Sequence, residues 1–252
     1  MKTLVRSSLS SALYWGGRWL GQNPSGTRIL CYHRVNDGEK KYDSVTLSRF
    51  REQMDFLAQA GYRTVSLGRF FDEPGDEKNV VITFDDGYRD NLKNAFPILE
   101  EFGFRATVFC VGSRIGEEGY LTRPDLRQMQ EGGWEIGSHT LSHPDLRSLD
   151  IGLKWREIAE SKSFLEEFLD LEIDFFCYPF GFYDEESVAL VQKAGYRGAC
   201  TNRPGANPDA KDPYLLRRTE IGAGDTPHDF KKKMAGAYDL LHRALHSVRG
   251  RP

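Results

Sequence analysis

The sequence lacks a long apolar run and a strong charge bias, and each absence excludes a class of protein. No stretch of its 252 residues contains the roughly 18 consecutive apolar residues that a membrane-spanning helix needs. Its 34 basic and 37 acidic residues give a net charge of −3. This balance argues against nucleic acid as a partner, since nucleic-acid-binding domains carry a clear basic excess. We therefore expect a folded domain that acts on something other than nucleic acid.

Cysteine is also scarce. The four cysteines are Cys31, Cys110, Cys177 and Cys200. None of them forms a C-x-x-C pair, and no two have the spacing of a zinc site. Each lies in or beside a short apolar run, which predicts four reduced, buried thiols. Unpaired cysteines fit a reducing compartment.

The first twenty residues contain no uninterrupted apolar core of signal-peptide length, because Arg6, Arg18 and a run of serines divide them. Their pattern predicts an amphipathic helix over residues 5–20, within a lead-in of residues 1–27. Such a helix either packs on the domain or lies on a membrane surface. We expect a cytoplasmic or membrane-peripheral protein.

Strand-like and helix-like segments alternate along the rest of the chain. Apolar runs rich in β-branched and aromatic residues predict strands at Ile29–Tyr32, Tyr62–Val65, Val80–Phe84, Ala106–Val111, Trp134–Gly137, Ile173–Tyr178, Gly198–Thr201 and Tyr214–Leu216. Amphipathic patterns predict helices at 46–60, 88–102, 124–131, 150–169, 184–194 and 227–248. The alternation indicates an α/β fold with a mainly parallel sheet, and seven or eight units have the size of a (β/α) barrel. No Gly/Ser/Pro tract divides the chain, so residues 28–252 are expected to form a single domain.

Several predicted strands end in groups that can bind a metal or transfer protons. Val80–Phe84 leads into Asp85 and Asp86, and Trp134–Gly137 leads to His139 and His143. Taken separately, the acids could form a solvated Asp-Gly turn, and the histidines could be ordinary polar or capping residues. Together, Asp86 and the two histidines form a three-ligand N/N/O set that leaves a position for water on a divalent metal. The second carboxylate is then free to take a proton from that water.

These two segments, Thr83–Gly87 and Ser138–His143, resemble the first two signature motifs of the polysaccharide deacetylases. That family has the NodB homology domain and forms carbohydrate esterase family four. The resemblance covers roughly residues 28–220. It implies a distorted barrel of about seven strands, Asp85 as the general base, and Asp86, His139 and His143 as ligands of a divalent metal. Zinc is the first expectation, with nickel, cobalt and iron left open.

A third family motif ends in Pro-Tyr/Phe-Gly and helps to form the substrate groove. Tyr178, Pro179, Phe180 and Gly181 match that end. The resemblance implies that the backbone N–H of Phe180 helps to stabilise the oxyanion of the reaction. The same motif usually begins with an arginine that orients the base, but Cys177 stands at that position. The residues that replace it are predicted to be Arg203, Arg217 or Arg218, and the sequence does not choose among them.

The usual fourth motif is not recognisable, and the catalytic histidine of the fifth motif has no clear match near the C-terminus. Leu240-Leu241-His242 fits superficially but lies within an amphipathic helical pattern. A better candidate is His33, which ends the strand Ile29–Tyr32, as in rearranged family members that act on poly-N-acetylglucosamine. The resemblance thus implies His33 as the general acid, with an ordinary core or loop histidine as the alternative.

The sequence therefore predicts a hydrolase that removes acetate from N-acetylated sugars of a glycan. The missing arginine leaves two alternatives open: a related barrel enzyme that cleaves another C–N bond, and a catalytically degenerate glycan-binding protein. A non-haem iron oxygenase is disfavoured, because the acid precedes the histidines by about fifty residues in an α/β pattern. The basic closing helix, with Lys231–Lys233 and Arg243, has either a solvated face or contact with anionic lipid. The glycan and the oligomeric state are not predicted.

Overall fold

Eight parallel strands form the central sheet of this computed structural model, which describes residues 26–38, 42–73, 78–209 and 212–239. In chain order the strands are β1 (Arg28–Tyr32), β4 (Arg63–Thr64), β5 (Asn79–Phe84), β6 (Thr107–Cys110), β7 (Glu135–Ser138), β8 (Phe175–Cys177), β9 (Gly198–Cys200) and β10 (Thr219–Glu220). Their spatial order is β10-β1-β5-β6-β7-β8-β9, and β4 pairs with the start of β5. Two further short strands, β2 (Arg34–Val35) and β3 (Ser44–Val45), pair in parallel with each other.

The helices lie between the strands, as an α/β alternation requires. They span Leu47–Gln59, Leu67–Asp72, Phe96–Glu101, Arg123–Glu131, Ile151–Trp155, Ser161–Leu169, Glu185–Lys193 and Pro227–Met234. Wide π-helical turns occupy Asn91–Ala95 and Arg156–Glu160. Side-chain caps fix several helix starts: Thr122, Asp184 and Thr226 each form a reciprocal capping box with the third residue of their helix.

The curled sheet separates two apolar clusters. The larger one, under the helices, takes Leu30 from β1 and Val80, Ile82 and Phe84 from β5. The smaller one takes the alternate residues, such as Ile29 and Val81, and fills the concave inner face. Because successive strand residues point to opposite faces, Asp85 continues the inner row of Val81. The first residue after a strand of this barrel can therefore carry a functional group at the top of the interior.

The barrel is distorted where its two edges meet. Strands β9 and β10 form no ladder with each other among the described residues, and the segment between them bridges the gap instead. Leu216 makes an isolated parallel bridge with Cys200, and the backbone N–H of Arg218 donates to the carbonyl of Arg203 at 2.9 Å. The predicted α/β class and distorted barrel are confirmed.

Some predicted elements were wrong in detail. The strand predicted at Tyr214–Leu216 is limited to the single bridge of Leu216, and the strand that pairs with β1 is Thr219–Glu220. The closing helix predicted at 227–248 ends at Met234, because Gly236 adopts a left-handed φ of 77° that a helix cannot continue through. Residues 240–248 and the N-terminal helix predicted at 5–20 lie outside the described residues.

Two further expectations concern burial and membranes. All four cysteines are free and buried, which confirms the predicted core thiols. None of the helices in the described ranges is long and apolar enough to cross a membrane.

Candidate active site

The candidate site lies where β1, β5, β7 and β8 end, at the carboxyl edge of the parallel sheet. His33 follows β1, Asp85 and Asp86 follow β5, and His139 follows β7. The ladder continues one step beyond the strands, since the backbone N–H of Asp85 donates to the carbonyl of Tyr32 at 2.9 Å. This register brings His33 and Asp85 together although they are distant in sequence. The active sites of (β/α) barrels form at this edge.

Three side-chain atoms converge beside these strand ends in the arrangement that a metal requires. His143 Nε2 lies 3.2 Å from His139 Nε2 and 3.5 Å from Asp86 Oδ1, and His139 Nε2 lies 3.7 Å from Asp86 Oδ1. Ligand atoms about 2.0–2.1 Å from a tetrahedral ion are separated by about 3.3 Å. The three measured separations bracket this value. The residues therefore fit a divalent ion held by two nitrogens and one oxygen.

The hydrogen bond at Nδ1 of His139 leaves Nε2, the nitrogen nearest to Asp86 and His143, able to act as a metal ligand. Its Nδ1 lies 2.7 Å from the carbonyl oxygen of Cys177, which can only accept. The proton is therefore on Nδ1, and Nε2 presents a lone pair towards Asp86 and His143. Burial, and then the neighbouring His139, lower the pKa of His143 to about 4. His143 is thus neutral near pH 7, as a metal ligand must be.

Asp85 sits deeper and is held by an arginine from the other end of the chain. Its two carboxylate oxygens each accept a hydrogen bond of 2.7 Å from Arg218, and both side chains are almost fully buried. The remaining donors of Arg218 are also used: Nε bonds the carbonyl of Thr201, Nη1 bonds Thr83 Oγ1, and Nη2 bonds Asn202 Oδ1. The guanidinium is therefore fixed in one orientation, and it fixes Asp85 in turn.

The pairing with Arg218 sets the charge of Asp85. Burial alone would raise the pKa of this carboxyl, but the charge and hydrogen bonds of Arg218 outweigh burial, with smaller contributions from His139 and His33. Together they hold the pKa of Asp85 well below its usual range. Asp85 is ionised at neutral pH and so can accept a proton.

Cys177 occupies the space beside this ion pair. Its Sγ lies 3.1 Å from Arg218 Nη2 and 3.6 Å from Asp85 Oδ2. Burial strongly raises the pKa of the Cys177 thiol, so the group is neutral. Among the three arginines that the sequence left open, the structure selects Arg218. The side chain of Arg203 instead donates to Tyr183 Oη at 3.1 Å.

His33 lies close to Asp85, at the end of β1. One ligand atom each of Cys31, His33 and Asp85 lie within 4.8 Å of one another. The backbone carbonyl of His33 accepts a hydrogen bond of 2.8 Å from the fully buried Asn91, which anchors the residue. Among the residues that the structure describes, none forms a hydrogen bond with the buried Nδ1 of His33. The imidazole is thus placed where it can exchange protons with the base or with a bound molecule.

The four residues predicted to form the groove have different surroundings. Phe180 is 52% exposed, and its ring lies edge-on to His143 with 4.6 Å between centroids. Tyr178, Pro179 and Gly181 are buried. Gly181 has a φ of 71°, and a Cβ there would lie 2.6 Å from Asn202 Cβ. Only glycine therefore allows this turn to pack against Asn202, the residue that bonds Arg218.

Sequence reasoning missed several supporting residues. Asn91 and Asn202 stand in segments without a motif. Glu157, whose carboxylate accepts hydrogen bonds from the backbone of Leu141 and Ser142, lies within a long helical pattern. Each acts through a contact with a distant part of the chain, so no local signal distinguishes it. A third cluster within 4.8 Å, formed by Asp85, His139 and Cys177, shares its members with the ion pair and the metal-ligand set.

The chain is similar to known polysaccharide deacetylases. A family model described as polysaccharide deacetylase matches residues 72–199. YxkH of Bacillus subtilis, which carries the provisional name of a polysaccharide deacetylase, is 34% identical over 208 residues, covering 81% of this chain and 74% of its own. The poly-beta-1,6-N-acetyl-D-glucosamine N-deacetylase of Staphylococcus aureus is 25% identical over 224 residues, covering 75% of this chain and 76% of its own.

A solved structure gives the same fold. The Streptococcus pyogenes deacetylase PplD superposes with a TM-score of 0.77 at 24% identity, covering 84% of this chain and 99% of that one. At this level of identity the likeness concerns the fold.

Proposed function

Because the chain belongs to the polysaccharide deacetylase family, we propose that it removes acetate from N-acetylated sugars of a glycan by metal-assisted hydrolysis of the acetamide. The observation that carries the proposal is the triangle of Asp86 Oδ1, His139 Nε2 and His143 Nε2, with sides of 3.2–3.7 Å. A carboxylate that is not needed as a ligand, Asp85, lies beside it.

The metal would be held by Asp86, His139 and His143, with zinc as the first choice for an N/N/O set of this size. When bound, such an ion lowers the pKa of a water molecule towards about 7 and polarises the acetamide carbonyl. The protein supplies two imidazoles, of which His139 is oriented by the carbonyl of Cys177. Nickel, cobalt and iron accept the same donors.

The chain's own residues would move the protons. Asp85, ionised and held by Arg218, accepts the proton of the attacking water. His33 then donates a proton to the departing amine nitrogen, for which its position beside Asp85 suits it. The backbone N–H of Phe180, in the turn beside His143, donates to the oxyanion. Acetate and a free amino sugar are the products.

We also propose that residues 28–252 form the catalytic domain. Arg28, the first residue of β1, pairs with Asp239 at 2.8 Å and donates to the carbonyl of Met234 at 2.8 Å. These buried contacts tie the beginning of the barrel to the end of the helix Pro227–Met234 and to Asp239 beyond it. A substitution that breaks these contacts should therefore destabilise β1 and the sheet that carries the site.

The substrate is proposed to be a β-linked N-acetylglucosamine polymer or oligomer, since the Staphylococcus aureus relative is named for that chemistry. The test is acetate release from a panel of N-acetylated glycans, together with a cyclic imide and a ureide. Acetate from a glycan and no ring opening supports the proposal. Ring opening without acetate would instead identify an enzyme that cleaves another C–N bond.

A further inference from the structure

The loop that carries both histidine ligands, residues 139–143, has an unfavourable backbone. Thr140 has a φ of 66° and His143 a φ of 64°. Left-handed conformations are uncommon outside glycine, and for a β-branched residue such as Thr140 they are strongly disfavoured. The loop must therefore be held in this shape by contacts with other parts of the chain.

Two carbonyl groups of the loop accept hydrogen bonds from the backbone of residues 112–113. The backbone N–H of Gly112 donates to the carbonyl of Thr140 at 3.0 Å, and that of Ser113 donates to the carbonyl of Leu141 at 2.8 Å. Within the loop, the N–H of His143 donates to Thr140 Oγ1 at 2.9 Å. These bonds leave the N–H groups of Leu141 and Ser142 to be satisfied from elsewhere.

A single carboxylate, that of Glu157, accepts hydrogen bonds from these N–H groups. Its Oε2 accepts hydrogen bonds of 2.9 Å from the backbone N–H groups of both Leu141 and Ser142, and its Oε1 accepts one of 2.7 Å from Ser142 Oγ. In the part of the chain that the structure describes, no salt bridge engages Glu157. Within the described residues, the hydrogen bonds of its carboxylate all go to the loop.

Glu157 lies in the π-helical turn Arg156–Glu160, between the helices Ile151–Trp155 and Ser161–Leu169. Such turns occur often at functional sites because the extra residue redirects the side chains on one face. In this turn Ile158 is buried in the core, while Glu157 reaches the loop. The helix is thus modified at the point where it supports the histidines.

We propose that Glu157 is a positioning residue for the metal site: it holds the loop in the strained shape that aims His139 and His143 at one point before any metal binds. The inference rests on the proposed metal site. Without the carboxylate, the loop relaxes, and part of the binding energy of the ion is spent on restoring its shape. Loss of such outer contacts typically weakens metal binding by about 10–100-fold.

The test compares Glu157→Ala, Glu157→Gln and the control Glu160→Ala. Glu160 lies in the same π-helical turn, but its carboxylate pairs with the exposed Arg156 at 3.2 Å. Zn²⁺ affinity is measured by competition with a chelating dye. Hydrogen exchange of the Leu141 and Ser142 amides is measured in metal-free protein, and thermal unfolding checks that each variant is folded.

We expect Glu157→Ala to raise the Kd for Zn²⁺ by about 10–100-fold and to lose protection of both amides. Glu157→Gln keeps a carbonyl acceptor and should recover most of the affinity, and Glu160→Ala should match the wild type. A folded Glu157→Ala variant with wild-type Zn²⁺ affinity would overturn the proposal. Unchanged protection of the two amides in metal-free Glu157→Ala would also overturn it, and this result does not depend on metal binding. A wild-type chain that binds no Zn²⁺ would instead refute the proposed function.

Discussion

Replacing Arg218 by methionine removes the guanidinium that pairs with Asp85 while keeping an unbranched side chain as long as the stem of arginine. Both oxygens of Asp85 lose a hydrogen bond of 2.7 Å, and the carboxylate remains in a site where it is 2% exposed. Removing one partner of a buried ion pair costs about 3–5 kcal/mol of unfolding free energy. For a chain of this size, that corresponds to a fall in Tm of about 6–20 °C.

The pH dependence of this loss of unfolding free energy tests whether the buried charge of Asp85 causes it. In the wild type the pKa of Asp85 is lowered in the folded state. The stability gained from the pair is therefore present above the unfolded-state pKa of about 3.9 and is lost as the pH falls through the lower folded value. In Arg218→Met, burial without a partner raises the folded pKa above about 3.9. The variant therefore loses stability as the pH rises from about 4.

The assay is urea unfolding of metal-free protein at pH 4 and pH 7, for wild type and Arg218→Met. The same pair is measured in an Asp85→Asn background, where position 85 cannot titrate. We expect the penalty to be larger at pH 7 than at pH 4, and this difference to vanish with Asn at position 85. Two results would refute the reasoning. One is a penalty below about 1 kcal/mol, which is far under the usual cost of a broken buried pair. The other is a penalty that is equal at both pH values.

Two further predictions concern the chemistry and the turn beside it. Asp85→Asn and His33→Ala should keep the metal but lower kcat for acetate release by about 10²–10⁴-fold each; full turnover in either variant, with metal content checked, removes that residue from the proton transfers. Gly181→Ala should lower the free energy of unfolding by about 1–3 kcal/mol, measured in urea, because its Cβ would meet Asn202 at 2.6 Å. Gly195→Ala, with a φ of 82° and open space around it, is the matched control, and an equal loss there would show that the contact with Asn202 contributes nothing.

The site residues whose position could be predicted from the sequence are those that stand at the end of a predicted strand. Asp85 and His139 come directly after β5 and β7, Asp86 is the next residue after Asp85, and in a parallel sheet these strand ends share one edge. His33 could be placed for the same reason. Whether these residues have the predicted catalytic roles stays a prediction.

The residues that could not be predicted depend on contacts across the barrel. Arg218 meets Asp85 over a separation of 133 residues, and nothing local distinguishes it from Arg217. The strand Thr219–Glu220 has two residues, one of them charged, so its pairing with β1 leaves no apolar pattern. The amphipathic pattern of the closing helix continues past Met234, but the left-handed Gly236 ends the helix there.

Titration of the metal-free chain with Zn²⁺, followed by acetate release from an N-acetylglucosamine oligomer, tests the central claim most directly. The account predicts that acetate release is absent in chelator, rises with added Zn²⁺ and reaches its plateau at one ion per chain. It also predicts that His139→Ala shows neither the binding nor the acetate. Acetate release at the same rate in chelator, or full activity in His139→Ala, would contradict the account.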